Sequence, residues 1–253
     1  MAQTPRNVLI TGASSGIGEA LARHYAAPGT TLALTGRDRE RLTAVAAACS
    51  AAGAAVESAA IDVIDRDGLR AWIEGVDDRA PLDLVIANAG ISAGMGARRE
   101  DEAAARRVLA TNLEGVLNTV FPVMPRMIAR RAGQIALVSS LAAFRGLPTA
   151  PAYSASKAAV KSLGEAWRLQ LEGDGIRVSV VCPGFVTTRM TARNKFPMPF
   201  LMSAERAAEI IARGLARDVG RIAFPWPTAA VSWLMGALPG RLSDALTRRL
   251  ASA

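Results

Sequence analysis

Short apolar runs alternate along the chain with longer stretches in which apolar residues recur at helical spacing. Asn7-Val8-Leu9-Ile10 reads as a buried strand. Ile17, Ala20, Leu21 and Tyr25 then recur on one helix face, with Glu19 in the first turn. Pro28-Gly29 stops that helix, and Thr31 to Thr35 reads as the second strand. An alanine-rich helix is predicted from Arg39 to about Ala52, and a third strand from Val56 to Ile61. Leu69, Trp72, Ile73 and Val76 stand at i, i+3, i+4 and i+7, which predicts a short helix over Asp67 to Asp77. Leu82 to Ala87 is the fourth predicted strand, followed by one long helix from roughly Glu100 to Pro122 that continues through Arg130. Gln134 to Val138 gives a fifth strand, Ala152 to Glu172 a helix ended by Gly173-Asp174-Gly175, and Ile176 to Val181 a sixth strand. Strands alternating with helices through short loops imply an α/β fold, a doubly wound parallel sheet with helices on both faces. No repeat, linker or low-complexity break interrupts the pattern. One domain over 1–253 is expected, with a core over 6–224 and an extension over 225–253.

In such sheets ligands sit beyond the carboxyl ends of the strands. The residues there are Gly12 to Gly18, Gly36-Arg37, Asp62, Asn88-Ala89-Gly90, Ser139-Ser140 and Pro183-Gly184, glycine, small or polar except Ile17. The first turn reads TGASSGIG over Thr11 to Gly18. A strand that breaks into a glycine-rich turn and re-emerges as a helix makes a phosphate site. The helix N-terminus presents unpaired N–H groups and the positive end of its dipole, and a Cβ would hold a pyrophosphate away from the backbone.

Composition narrows the field. The 253 residues are 51% apolar, which excludes a disordered chain. The net charge is +8, but the arginines are scattered and occur at most as doublets such as Arg98-Arg99, Arg106-Arg107, Arg130-Arg131 and Arg248-Arg249. That implies a solvated basic surface and no nucleic-acid partner. Cys49 and Cys182 make no disulfide or metal pattern. His24 is the one histidine, so a multi-histidine zinc site is excluded and a Ser-His-Asp triad would have to use it. Pro5 and Arg6 lead directly into the first strand, so no signal peptide is expected and the cytoplasm is the expected location.

Tyr153 and Lys157 are four apart at the start of a predicted helix and share a face. A tyrosine titrates near ~10 and is a poor acid–base group at neutral pH; a nearby ammonium lowers that value. Ser140 lies at the end of the preceding strand, thirteen residues before Tyr153, where its hydroxyl can hold a substrate oxygen.

With these residues in place, the sequence resembles the classical short-chain dehydrogenase/reductase family. TGASSGIG, Asp62, Asn88-Ala89-Gly90, the interval from Ser140 to Tyr153-Ser154-Ala155-Ser156-Lys157, and Pro183-Gly184-Phe185-Val186-Thr187-Thr188 stand in the family's order. The resemblance covers Val8 to Thr188, and a helix near Ser203 to Arg217 and a last strand Ile222-Ala223-Phe224 extend it. It implies a Rossmann-type fold and hydride transfer between NAD(P) and an alcohol or carbonyl carbon. It further implies that Tyr153 is the acid or base, that Ser140 hydrogen-bonds the reacting oxygen, and that Lys157 binds the nicotinamide ribose and lowers the tyrosine pKa. Asn112, in Thr111-Asn112-Leu113, matches the family's fourth catalytic member, with a water-linked proton relay. For the cofactor it implies Gly12, Ser14, Ser15, Gly16, Ile17 and Gly18 at the phosphates and Asp62 with Val63 at the adenine. Asn88, Ala89 and Gly90 fall beside the adenosine, and Pro183, Gly184, Val186 and Thr188 at the nicotinamide. A homodimer or homotetramer is the usual assembly.

An acidic residue after the second strand would bind the ribose 2′-hydroxyl of NAD. Here Gly36 holds that position and Arg37 follows, where a guanidinium can bind a 2′-phosphate. NADP(H) is therefore the expected cofactor. Asp38, and Ser15 at a loop position where NADPH users often carry a cation, keep NAD(H) open.

The substrate wall is expected from Ser92 to Arg98, Phe144 to Pro148, Phe185 and Met190 to Met202; its apolar character suggests an apolar substrate. Arg145 is expected on the surface, with an acidic substrate as the other reading. Ile222 to Gly240 carries no charge over nineteen residues. Pro225, Pro227, Gly236 and Pro239 argue against a straight helix there. Trp233, Leu234, Leu238, Leu242, Leu246 and Leu250 suggest an amphipathic tail that caps the site, covers a subunit interface or lies on a membrane surface. The leading expectation is an oxidoreductase of secondary alcohols or ketones. The alternatives are a membrane-surface reductase of lipid-like substrates and a non-catalytic NAD(P)-binding regulator on the same fold.

Overall fold

Strand β1, Asn7–Thr11, is buried on both faces, and its alternate side chains seed two separate cores. A computed structural model of the protein describes residues 5–92, 100–194 and 196–245. Val8 and Ile10 point into one layer and Leu9 into the other. The first layer is made by α1 (Gly16–Tyr25), α2 (Arg39–Ala51) and α8 (Ala204–Ala216), through Leu21, Leu42, Val45, Ile211 and Leu215. The second is made by α3 (Arg66–Arg79), α4 (Glu102–Leu109), α5 (Gly115–Val120), α6 (Met124–Arg130) and α7 (Pro151–Leu171), with Leu69, Ile73, Val120, Met127 and Trp167 among its buried residues.

Among the described residues seven parallel strands form one sheet in the order β3-β2-β1-β4-β5-β6-β7. The others are β2 (Thr31–Thr35), β3 (Ala55–Ala59), β4 (Leu84–Ala87), β5 (Gly133–Val138), β6 (Ile176–Pro183) and β7 (Arg221–Phe224). The chain winds outward from β1 to β3, returns to β4 beside β1, and winds the other way, which opens a crevice between the ends of β1 and β4. This is the Rossmann-type, doubly wound sheet.

Two elements differ from the sequence pattern. The single long helix expected from Glu100 is broken: a π-helical turn at Ala110–Glu114 separates α4 from α5, and Pro122 ends α5 before α6 begins. One extra residue shifts the register of the following face within a stretch whose apolar content stays the same, a change too local for the overall pattern to register. Pro122 has no N–H to continue the ladder, whereas Pro125 sits in the first turn of α6, where none is needed. The C-terminal stretch forms α9, Trp226–Ala237, between Pro225 and Pro239. Pro227 is accommodated in its first turn, and Gly236 packs closely on the Phe144 carbonyl instead of kinking the helix. Leu246, Arg248, Arg249 and Leu250 of the expected tail lie outside the described residues.

Candidate active site

β1 ends at Thr11, and the next turn depends on two left-handed glycines, Gly12 (φ +68°) and Gly16 (φ +60°). A Cβ on Gly12 would stand 2.8 Å from Ala89 Cα, and one on Gly16 would stand 2.9 Å from Thr188 Cγ2. No side chain caps α1 at Ser15, so the helix N-terminus keeps its N–H groups for a ligand. Asn88 braces the turn from β4. Its side-chain amide donates to the Thr11 carbonyl at 2.9 Å, while Thr11 Oγ1 accepts from the Asn88 and Ala89 N–H groups at 3.1 and 3.2 Å.

A cavity of about 680 Å³ opens over this edge of the sheet. Gly12, Ser14, Ser15, Gly16, Ile17, Arg37, Asp62, Val63, Asn88, Ala89, Gly90, Ser140, Tyr153, Lys157, Pro183, Gly184, Val186 and Thr188 all line it. Gly18 and Asn112 do not. Gly18 is buried, and a Cβ there would fall 2.3 Å from the Gly12 carbonyl; it allows helix and turn to pack and has no surface for a ligand. Asn112 is fully buried in the π turn. Its Oδ1 accepts from the Ile91 N–H at 2.8 Å, and its amide nitrogen donates to the Ile91 carbonyl and to Ser156 Oγ, each at 3.0 Å. The neighbouring Thr111 lines the cavity instead.

At the end of β2 two arginines flank the cavity. Arg37 lies 3.7 Å from Asp62, and Arg41 lies 2.6 Å from Asp38, whose carboxylate also caps α2 by accepting from the Arg41 N–H. Arg41 Nε is buried with no hydrogen-bond partner among the described residues. Arg41 escaped the sequence reading because it is one of several charges packed into the first turn of a predicted helix. Its distance of four from Arg37 was the available signal.

At the end of β5, Ser140 Oγ accepts from the Ala142 N–H at 3.1 Å and donates to the Pro183 carbonyl at 3.5 Å, and its hydroxyl acts on the Tyr153 phenol to lower its pKa. Lys157 is buried, donates from Nζ to the Val138 carbonyl at 2.9 Å, and stands 5.8 Å from the Tyr153 ring centroid. Ser139 Oγ donates to the Lys157 carbonyl at 2.7 Å and seats α7 on β5. The expected lowering of the tyrosine pKa by Lys157 is absent in this state. Burial holds Tyr153 above its ordinary value, opposed by the Ser140 hydroxyl. Burial also brings the lysine down to about 8. A low dielectric around both groups penalises phenolate and ammonium alike, and the ammonium is directed at a backbone carbonyl rather than the phenol.

The expected substrate wall divides. Ser92, Met190 and Thr191 line the main cavity, and residues 93–98 and Lys195 lie outside the described residues. Phe185 stacks edge-on with Phe196 at 5.8 Å. Phe144 to Pro148 borders a different cavity of about 560 Å³, with Ser154, Ala155 and Ala158 on the far side of α7 from Tyr153 and Lys157. Arg145 pairs there with Asp244. No cluster of metal-binding side chains occurs among the described residues.

A family model described as short chain dehydrogenase matches residues 6–197. An oxidoreductase of Myxococcus xanthus is 41% identical over 97% of each chain. A 3-oxoacyl-(acyl-carrier-protein) reductase of Thermotoga maritima is 33% identical over 80% of this chain and 87% of its own. Among solved structures, a short-chain dehydrogenase of Sphingobium yanoikuyae in complex with NADPH superposes with a TM-score of 0.79 at 27% identity, covering 92% of this chain and 96% of that one. One from Mycobacterium paratuberculosis bound to NAD gives 0.80 at 27% identity, covering 90% and 99%. The crevice at the β1–β4 switch point, the glycine turn and the Ser140–Tyr153–Lys157 group therefore stand in an NAD(P)-dependent oxidoreductase, and the chain belongs to the short-chain dehydrogenase/reductase family.

Proposed function

We propose that this oxidoreductase uses NADP(H) to interconvert a secondary alcohol and a ketone on a largely apolar substrate. The observation that carries the cofactor preference is the pair Arg37 and Arg41, both on the cavity wall at the end of β2, where a dinucleotide laid across the switch point places its adenosine ribose. A 2′-phosphate there would accept charge-assisted hydrogen bonds from the guanidiniums while they stay beside their carboxylates, and would give Arg41 Nε the acceptor it lacks. Asp38 and Asp62, each paired to an arginine, leave no bare carboxylate to repel it.

The glycine turn and the uncapped N-terminus of α1 fit a pyrophosphate, because no side chain stands between the backbone N–H groups and the cavity. The nicotinamide, when bound, supplies or accepts the hydride. Ser140 orients the substrate oxygen through its hydroxyl. Tyr153 Oη, held protonated by burial, gives its proton to the carbonyl oxygen during reduction and takes it back during oxidation. Lys157 holds the ribose and replaces the proton, while Asn112 fixes the π turn behind it. A homodimer or homotetramer in the cytoplasm fits the reading.

Calorimetric titration of NADPH and NADH into the wild-type protein and Arg37→Ala is the test. NADPH binding at least tenfold tighter than NADH, lost in the variant, is expected for one charge-assisted contact of about 1.5–3 kcal/mol. Tighter NADH binding overturns the preference.

A further inference from the structure

The chain leaves the C-terminal edge of the sheet at two adjacent points, after Pro183 and after Phe224, which are register partners at the ends of β6 and β7. The Gly184 N–H donates to the Phe224 carbonyl at 2.7 Å, which locks the two exits together. The first excursion returns to its own base through a bridge between Val186 and Met202. The second becomes α9. Gly184, Val186 and Met190 line the catalytic cavity, so both excursions rise beside its mouth.

Both present apolar side chains to solvent. Phe200 is 59% exposed, and Leu201 beside it is exposed as well. On α9, Trp226 and Trp233 are seven residues apart on one helix face that also carries Ala230 and Leu234; Trp226 is 78% exposed. The opposite face of α9 rests on the fold through small residues. Ala229 joins the cluster of Leu141, Val180 and Cys182, and a Cβ on Gly236 would meet the Phe144 carbonyl at 2.4 Å. No residue of α9 is buried. The helix is thus seated with its large side chains outward, the reverse of a packing helix.

The charge on these excursions is one-sided. None of the 22 acidic residues lies between Gly175 and Ala204 or between Val219 and Ser243, whereas the sequence past the strand ends there carries Arg189, Arg193, Lys195 and Arg241. An apolar rim with an excess of cations in its sequence, Asp244 beyond it being paired with Arg145, complements a layer that is apolar within and negative at its surface. Tryptophan favours the boundary of such a layer, and basic residues are drawn to its anionic headgroups. No described helix is long and apolar enough to cross a membrane, so the element would lie on the surface.

We propose that Phe200, Leu201, Trp226, Val231, Trp233 and Leu234 dock the mouth of the cavity on an anionic phospholipid bilayer. An apolar substrate then passes from the lipid phase to Tyr153 without crossing bulk water. The proposal draws on the apolar-substrate reading above, but docking is measured without turnover or cofactor, so the two fail separately. The competing occupant of the rim is a second copy of this chain.

The test is sedimentation of the full-length protein with vesicles of phosphatidylcholine alone or mixed with phosphatidylglycerol, at low and high salt. Mass is measured by light scattering in parallel, and cooperative melting verifies folding. Wild type is expected to partition about tenfold more onto anionic than neutral vesicles, with the excess lost at high salt. Trp226→Ser with Trp233→Ser is expected to abolish partition onto both, and Arg241→Glu to reduce only the anionic excess. Vesicles with brominated acyl chains should quench wild-type tryptophan fluorescence, a readout that stands if the double variant does not fold. Recovery of wild type in the supernatant with both vesicle types, or no quenching, overturns the proposal. So does an oligomer that dissociates in the double variant without any wild-type partition, which would make the rim an interface between copies.

Discussion

The Asn112 side-chain nitrogen donates to Ser156 Oγ at 3.0 Å, and Ser156 Oγ in turn donates to the Tyr153 carbonyl at 2.7 Å. The π turn is thereby tied to the backbone of the proposed acid through one buried serine. Asn112→Ala leaves the Ile91 N–H and carbonyl and the serine hydroxyl short of partners. Urea unfolding should register a loss of about 1–3 kcal/mol. Asn112→Asp keeps the acceptor for the Ile91 N–H and should fall between. Turnover of a carbonyl substrate should drop in both with KM nearly unchanged, because the change lies behind the acid and away from the cavity wall.

The close approach of Gly18 to Gly12 makes a second prediction. Gly18→Ala places a methyl 2.3 Å from the Gly12 carbonyl, so the turn must shift. A destabilisation of about 1–3 kcal/mol is expected together with weaker NADPH binding. Gly173→Ala, whose Cβ would meet nothing within 4 Å, is the control and should stay within about 0.5 kcal/mol of wild type.

If Arg41 holds a 2′-phosphate as proposed, its removal should act on one cofactor and not on stability. Its ion pair with Asp38 is exposed and contributes little to stability. Arg41→Ala should therefore melt like wild type while its NADPH Kd rises about tenfold and its NADH Kd hardly moves. Equal weakening of both cofactors would point to a distorted loop instead.

Lys157 gives a pH dependence with a definite sign. Its folded pKa, about 8, lies below the ordinary lysine value, so between these values the unfolded chain binds more protons and stability rises with pH. Below pH 8 both states are protonated and the penalty of burying the ammonium is fully present. Tyr153, raised by burial, works the other way above its ordinary value near ~10, where only the unfolded phenol ionises. Unfolding free energies from pH 7 to 9.5 should therefore climb in wild type relative to Lys157→Met, by about 2 kcal/mol, most of it above pH 8. A flat difference would mean that the lysine is not desolvated.

Asp77 is a stability site away from the chemistry. It is buried at the end of α3, accepts from the Leu82 N–H at 2.8 Å, and pairs with Arg130 at 2.9 Å and Arg126 at 3.5 Å. Asp77→Ala removes the anion and leaves a part-buried guanidinium behind, for an expected loss of about 3–5 kcal/mol in urea unfolding with NADPH affinity unchanged in the folded protein.

Much of this architecture could be read from the chain, for a physical reason. β1, β2 and β5 are continuous apolar runs because both their faces are covered, and the ligand-facing turns are glycine and small polar residues because they lie at strand ends. The break at Ala110–Glu114 was illegible, since a π turn changes which side chains point inward without changing the apolar content. Thr11 and Asn88 likewise looked like ligand or turn residues. Their work is largely internal, bracing one strand end against the next through contacts that only the sheet order creates. Phe144 to Pro148 borders a second cavity, which the sequence does not separate from the first because it places the segment near Ser140 without saying on which side of α7 it falls.

The reversal of winding between β1 and β4 also divides labour along the gene. Arg37, Asp38, Arg41 and Asp62 all come from the half that builds β1 to β3, and Ser140, Tyr153 and Lys157 from the half that builds β4 to β7. Thr11 and Asn88 form the seam. On the proposed reading, the residues that would select the 2′-phosphate and those that would handle the proton are thus folded from separate halves of the chain, and only the seam holds them in register.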